Sequence, residues 1–142
     1  VTEVGAETAR TLDSTGDVGP YTSIAIGTDN NPVISYSDDT NGDLKVYVCA
    51  DTGCSSGTAR TLDSTGSVGN HTSIAIGTNG NPVISYYDIS NTDLKVYVCA
   101  DTACASGTAR ALDSSGTEPD GRSNRILPLL KSIATRRNIL RG

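Results

Sequence analysis

The chain of 142 residues has no Met, no Trp and no Phe, and six Tyr are its only aromatic residues. Its core must therefore be aliphatic, built from Ile, Val, Leu and Ala. No apolar run approaches the ~18 residues that a membrane-spanning helix requires. No signal peptide is visible, and a start at Val1 fits a processed or truncated N-terminus. With one His, at position 71, imidazole chemistry has little to draw on. What is present is small and polar: 15 Gly, with hydrophobic residues at 36% and charged residues at 19%. These values fit an ordered globular chain and lie far from the Ala/Leu/Glu/Lys profile of a helical bundle.

The net charge of -5 is unevenly spread. Residues 1–117 carry 14 acidic and five basic side chains, net -9, whereas residues 118–142 carry two acids and six bases, net +4. Such a shift marks a compositional boundary near residues 116–121. An acidic body argues against nonspecific nucleic-acid binding, which needs a basic face to neutralise phosphates.

Residues 11–60 and 61–110 align without a gap and differ at only 11 of 50 positions. A third copy starts with ALDSSG at Ala111 and then departs, and ETAR at residues 7–10 echoes the GTAR that closes each repeat. Four runs in each repeat carry strand signals between Gly, Asn, Asp, Pro and Ser clusters. The first copy has SIAIG at 23–27, PVISY at 32–36, DLKVYVCA at 43–50 and GTARTLDS at 57–64. In the third run Leu44, Val46 and Val48 share one face, and Lys45, Tyr47 and Cys49 the other.

Four strands joined by tight turns make an antiparallel meander. Repeated at this period, that unit predicts an all-β fold of β-propeller blades, with a β-solenoid as the structural competitor. The runs SIAIG, NPVISYxD and N-x-DLKVYVC, with the cysteine that follows, resemble the blades of bacterial multi-blade β-propellers, loosely similar to sialidase-like and lectin-like propellers. The resemblance covers residues 7–113 and implies architecture, since propellers host many unrelated functions. The sialidase Asp-box pattern is not matched.

The expected organisation is a spare N-terminal outer strand (1–16), blade 1 (17–66), blade 2 (67–116) and a basic C-terminal tail (117–142). The tail is either an amphipathic helix or a disordered end, and a frameshift within a third blade would also account for it. Membrane contact by the tail is not favoured. Closed propellers have about four to eight blades. Two blades therefore predict a ring completed by homo-oligomerisation, with three chains giving six blades, and the N-terminal strand is expected to complete a neighbour's blade.

The candidate chemistry is sparse. Cys49 with Cys54, and Cys99 with Cys104, form C-x4-C pairs across a turn, which suits disulfides and an oxidising, secreted or cell-surface setting. Zinc and reduced structural thiols are the alternatives. Tyr21 and His71 occupy the same repeat position at the start of an inner strand. Tyr36 with Asp38, and Tyr86 with Tyr87 and Asp88, form a second polar-aromatic set. Rings stack on sugar faces while carboxylates accept hydroxyl hydrogen bonds, so these seven residues are the candidate ligand site and a glycan the candidate ligand. Turn capping and interblade packing compete with that reading.

The Asp/Asn runs 29–31 and 38–43 have the oxygens of a calcium loop, but the second copy has two fewer carboxylates there, so Asx turns explain both. No metal or cofactor is expected. Arg10, Arg60 and Arg110 recur with the period as an anion-binding set would, but a salt bridge or capping bond to Asp13, Asp63 and Asp113 three residues later is simpler. No paired catalytic carboxylates stand out. The expected function is accordingly a noncatalytic, oligomeric binding module; a ligand-free structural array and a glycosidase-type enzyme are the other readings.

Overall fold

The structure, a computed structural model, describes residues 8–114. Those residues form eight strands and no helix. In the first repeat they are β1 (Val18–Ile26), β2 (Pro32–Asp38), β3 (Asp43–Cys49) and β4 (Gly57–Asp63). The second repeat gives β5 (Val68–Ile76), β6 (Pro82–Asp88), β7 (Asp93–Cys99) and β8 (Gly107–Asp113). Each repeat is one four-stranded antiparallel sheet, ordered β1-β2-β3-β4 and β5-β6-β7-β8. The all-β expectation holds, and both sheets are blade-like meanders. Residues 1–7 and the expected tail at 117–142 lie outside the described residues.

Local chemistry accounts for the turns. Between β1 and β2, Gly27 donates its N–H to Asn31 O at 2.9 Å, and Asn30 turns the chain at φ 65°. Asp29 caps this turn by accepting the Asn31 N–H at 3.0 Å. The second copy has Gly80 at the same left-handed corner, φ 83°, so this difference between the repeats preserves the conformation.

β1 begins five residues earlier than the sequence alternation indicates. Val18 pairs with Asp38 and Thr22 with Tyr36, so three residues of β1 oppose one of β2. This bulge, with Gly19 at φ 83°, breaks the period of two on which the reading depended. β5 is irregular at the same place, between Val68 and Ser73.

Strand alternation gives each blade two different faces. The trailing face of blade 1 carries Val33, Leu44, Val46 and Val48, while its leading face carries Ile34, Tyr36, Tyr47 and Cys49. Blade 2 covers the trailing face of blade 1 with its own leading face: Leu44 and Val46 are 0% exposed and cluster with Val68, Ile74, Ile84, Tyr86 and Tyr97. Fully burying a large aliphatic side chain contributes about 1.5–3 kcal/mol. This interblade layer is therefore the main core of the chain.

Polar contacts fix its register. Val68 donates its N–H to Gly42 O at 2.9 Å, Thr72 Oγ1 bonds Ser35 Oγ at 2.8 Å, and Ile74 donates its N–H to Ser23 Oγ at 3.2 Å. Backbones approach closely here. A Cβ on Gly69 would stand 2.8 Å from both Asp43 O and Leu44 Cα.

Among the described residues, no further sheet covers the two outermost faces. Ile24 on β1 is 60% exposed where its counterpart Ile74 is 8%, and Leu94 on β7 is 48% exposed where Leu44 is 0%. Residues 8–17 form no strand within the chain. They lie on the leading side of blade 1, with Leu12 packed in the cluster of Tyr36, Tyr47 and Cys49.

Candidate functional site

Four of the seven candidate ligand residues are buried: Tyr36, Asp38, Tyr86 and Asp88. Each belongs to an internal polar cluster that occurs once per blade. In blade 1 Tyr36 donates its hydroxyl to Asp13 Oδ2 at 2.7 Å, and Lys45 Nζ donates to the same oxygen at 2.7 Å. Lys45 Nζ also lies 3.8 Å from Asp38 Oδ2 and 5.6 Å from the centre of the Tyr36 ring. Asp38 accepts from Asn41 N at 3.0 Å and from Asn41 Nδ2 at 2.9 Å. Blade 2 repeats the arrangement. Tyr86 and Lys95 both donate to Asp63 Oδ2 at 2.6 Å, and Asp88 accepts two hydrogen bonds from Asn91.

Asp63 lies at the end of β4, in blade 1, while its Tyr and Lys partners belong to blade 2. The cluster is thus a latch from one blade to the next. Asp13 sits on blade 1 as Asp63 sits on blade 2. The sequence pairs Asp13 and Asp63 with Arg10 and Arg60; the structure gives both carboxylates instead to a Lys and a Tyr 23 to 32 residues further on. Arg60 Nε is buried with no hydrogen-bond partner.

Electrostatics follow from that geometry. Burial disfavours the Asp63 carboxylate, yet hydrogen bonds from Lys95, Thr65 and Tyr86 outweigh it and hold its pKa down to about 2. The hydrogen bond from Lys45, followed by those from Thr15, holds Asp13 well below the usual carboxylate range. Burial first, and then the neighbouring Asp, pushes the Tyr36 and Tyr86 hydroxyls above the ordinary phenol value. The phenols stay protonated and donating, the carboxylates stay charged and accepting, and both are committed to partners inside the molecule.

Tyr21 and His71 come together. Their ring centroids are 4.4 Å apart at an interplanar angle of 50°, on the adjacent first strands of the two blades. Tyr21 is half-buried and His71 exposed, the latter held by the β5 irregularity at φ 52°. Tyr87 faces the opposite way from Tyr86 and Asp88, as strand alternation requires, and is exposed. The structure therefore separates the expected set into one ring pair of half-buried Tyr21 and exposed His71, one exposed Tyr on the trailing face and four buried latch residues.

Both C-x4-C pairs are disulfides, Cys49–Cys54 and Cys99–Cys104, each with Cα atoms 4.9 Å apart. Cys54 and Cys104 lie at φ 51° and 52°, where the turn leaves β3 and β7. Such bridges are compatible with an oxidising, extracellular environment. Among the described residues, no group of three or more His, Cys, Asp or Glu side chains converges as a metal site. The Asp29 and Asp38 loops that resembled calcium ligands close Asx turns through Asn31 and Asn41.

A cavity of about 240 Å³ opens on the leading face of blade 1, among Leu12, Val18, Ile34, Tyr36 and Tyr47, with Arg10 and Asp13 at its side. On blade 2 the corresponding residues are covered by Leu44 and Val46 of blade 1. The Lys latch went unread in the sequence, although a signal existed: Lys45 and Lys95 interrupt apolar strands on the same face as a Tyr, at the repeat period. No protein-family model matches the chain, and neither a curated protein nor a solved structure matches it.

Proposed function

We propose that the chain is a noncatalytic blade pair that forms a β-propeller ring with further copies, three chains giving six blades, and that the ring binds carbohydrate along its inner strands. The observation that carries this reading is the Tyr21–His71 ring pair, which spans the first strands of two neighbouring blades, the strands that would lie closest to the axis of a closed ring. In a six-bladed ring three tyrosines would alternate with three histidines around that axis. Flat rings in such an array offer stacking faces to the apolar sides of sugars. The two disulfides support a secreted or cell-surface setting. A noncatalytic role is supported by the Asp38 and Asp88 carboxylates, which are tied to Asn side chains and Lys instead of facing an open cleft.

A purely structural array is the second reading, favoured by the burial of Tyr36, Asp38, Tyr86 and Asp88 in the latch. A glycan array with the purified protein separates the two. The binding reading expects retention of one glycan class, weakened about tenfold by Tyr21→Ala or His71→Ala, the size of a lost aromatic stack. Retention of no glycan would remove carbohydrate from the proposal.

A further inference from the structure

Among the described residues, exposed large apolar side chains gather at the two ends of the blade pair. Ile24 and Ile26 lie on β1; Tyr87, Ile89, Leu94, Val98 and Leu112 lie on blade 2. These ends are the two halves of a contact that the chain already makes once. Leu94 occupies in β7 the position that Leu44 occupies in β3, and Ile24 in β1 that of Ile74 in β5. Gly69 admits the backbone of Asp43 and Leu44, whereas its counterpart Gly19 has only Thr22 Cγ2 near a would-be Cβ, at 3.7 Å. The cavity beside Tyr36 and Tyr47 corresponds to the place on blade 2 where Leu44 and Val46 pack. Two repeat differences, Ser37 to Tyr87 and Asp39 to Ile89, make the trailing end more apolar, the reverse of what a face left in water needs.

We propose that the trailing face of blade 2 docks on the leading face of blade 1 of a second copy, with Leu94 entering the cavity, and that residues 10–13 plug this junction until docking displaces them. The proposal rests on the reading of the chain as part of a larger ring. Its second element follows from register. Asp63 pairs with Leu44, and Asp113 pairs with Leu94 in the same way. Docking that repeats the internal contact brings Asp113 to Tyr36 and Lys45 of the second copy, where Asp13 already accepts from both at 2.7 Å. Asp13 and Asp113 would claim the same place, where one carboxylate oxygen accepts from both Tyr36 and Lys45, with Asp38 already 3.8 Å from that ammonium. A third carboxylate there leaves negative charge unpaired, so the incoming Asp113 displaces Asp13.

The opposite exchange, in which the N-terminal stretch of the second copy replaces β8, meets a steric block. A Cβ at Gly107 would stand 2.4 Å from Tyr97 Cε1 and Val98 O. The N-terminal stretch has Glu7 at that register.

Sedimentation velocity on the full chain over a concentration series tests the junction and the plug separately. Wild type is expected to associate. Leu94→Asp, at an exposed position, is expected to keep the fold by circular dichroism and to stay monomeric. Asp13→Ala is expected to associate about tenfold more tightly, since the plug loses its charge-assisted anchor, while Asp113→Ala weakens association. If Asp13→Ala does not fold, Asp13→Asn keeps the side-chain shape, removes the charge and is read in the same way. Association of Leu94→Asp as tight as wild type would overturn the docking face. Unchanged or weaker association of the Asp13 variant would overturn the plug and leave the ring reading standing. If wild type and the Asp13 variant are both monomeric at every concentration, the ring reading falls with it.

Discussion

At the scale of single residues, the repeat offers an internal control, because one backbone carries two side-chain sets. Gly42 lies at φ 74° and Thr92, its counterpart, at φ 59°. A β-branched residue in the left-handed region costs roughly 1–2 kcal/mol, more than the ~0.5–1 kcal/mol that glycine loses in chain entropy. Thr92→Gly is therefore expected to raise stability by up to about 1 kcal/mol in urea unfolding. The reverse change at Gly42 should be destabilising, because a Cβ there would stand 3.3 Å from Ser67 Cα of the next blade. A fall in the urea midpoint of Thr92→Gly would show that strain at this corner does not govern stability.

At the scale of strands and turns, the disulfides close the connections from β3 to β4 and from β7 to β8. Each loop spans five residues in sequence, and chain-entropy reasoning gives about 2 kcal/mol for a loop this short. Reduction should lower the urea midpoint without removing the sheets, as read by far-UV circular dichroism with and without a thiol reductant. Loss of all strand signal on reduction would instead make the bridges a condition of folding. These elements were legible in the sequence because turn residues and alternation coincide: β2 starts at Pro32, β3 at Asp43 and β4 at Gly57, where the pattern puts them. The first five residues of β1 were not, because the bulge around Gly19 moves side chains off the alternating register. The latch was only half legible, for a different reason: a Lys within an apolar strand signals a buried charge but not its partner. Asp13 and Lys45 are 32 residues apart, and nothing local indicates that a carboxylate at the end of one blade will meet an ammonium in the next. Tyr21 and His71 were singled out from equivalent repeat positions, and their approach to 4.4 Å follows from the packing of β5 against β1.

At the scale of the whole molecule, the two sheets are joined by an apolar layer and one charged latch. Asp63 has a folded-state pKa lowered to about 2 from an ordinary value of 3.8, so its stabilising effect is complete above the ordinary value and fades as pH falls through the folded one. Stability is expected to decline between about pH 4 and pH 2, and Asp63→Asn should flatten that decline. Acid titration of unfolding, followed by tyrosine fluorescence, checks it. A decline of the same size in the Asn variant would move its origin to other carboxylates.

Asp63 also separates two boundaries that a tandem repeat invites one to merge. On β4 it stands opposite Leu44 of β3 in its own sheet, yet it neutralises Lys95 of the next. A segment cut at the edges of one sheet, from β5 to β8, would leave Lys95 facing only Asp88, at 3.6 Å. The length of sequence that is repeated and the length of chain that is balanced in charge are therefore out of phase by one strand, and blade 2 depends for its charge balance on β4, the strand that comes before it.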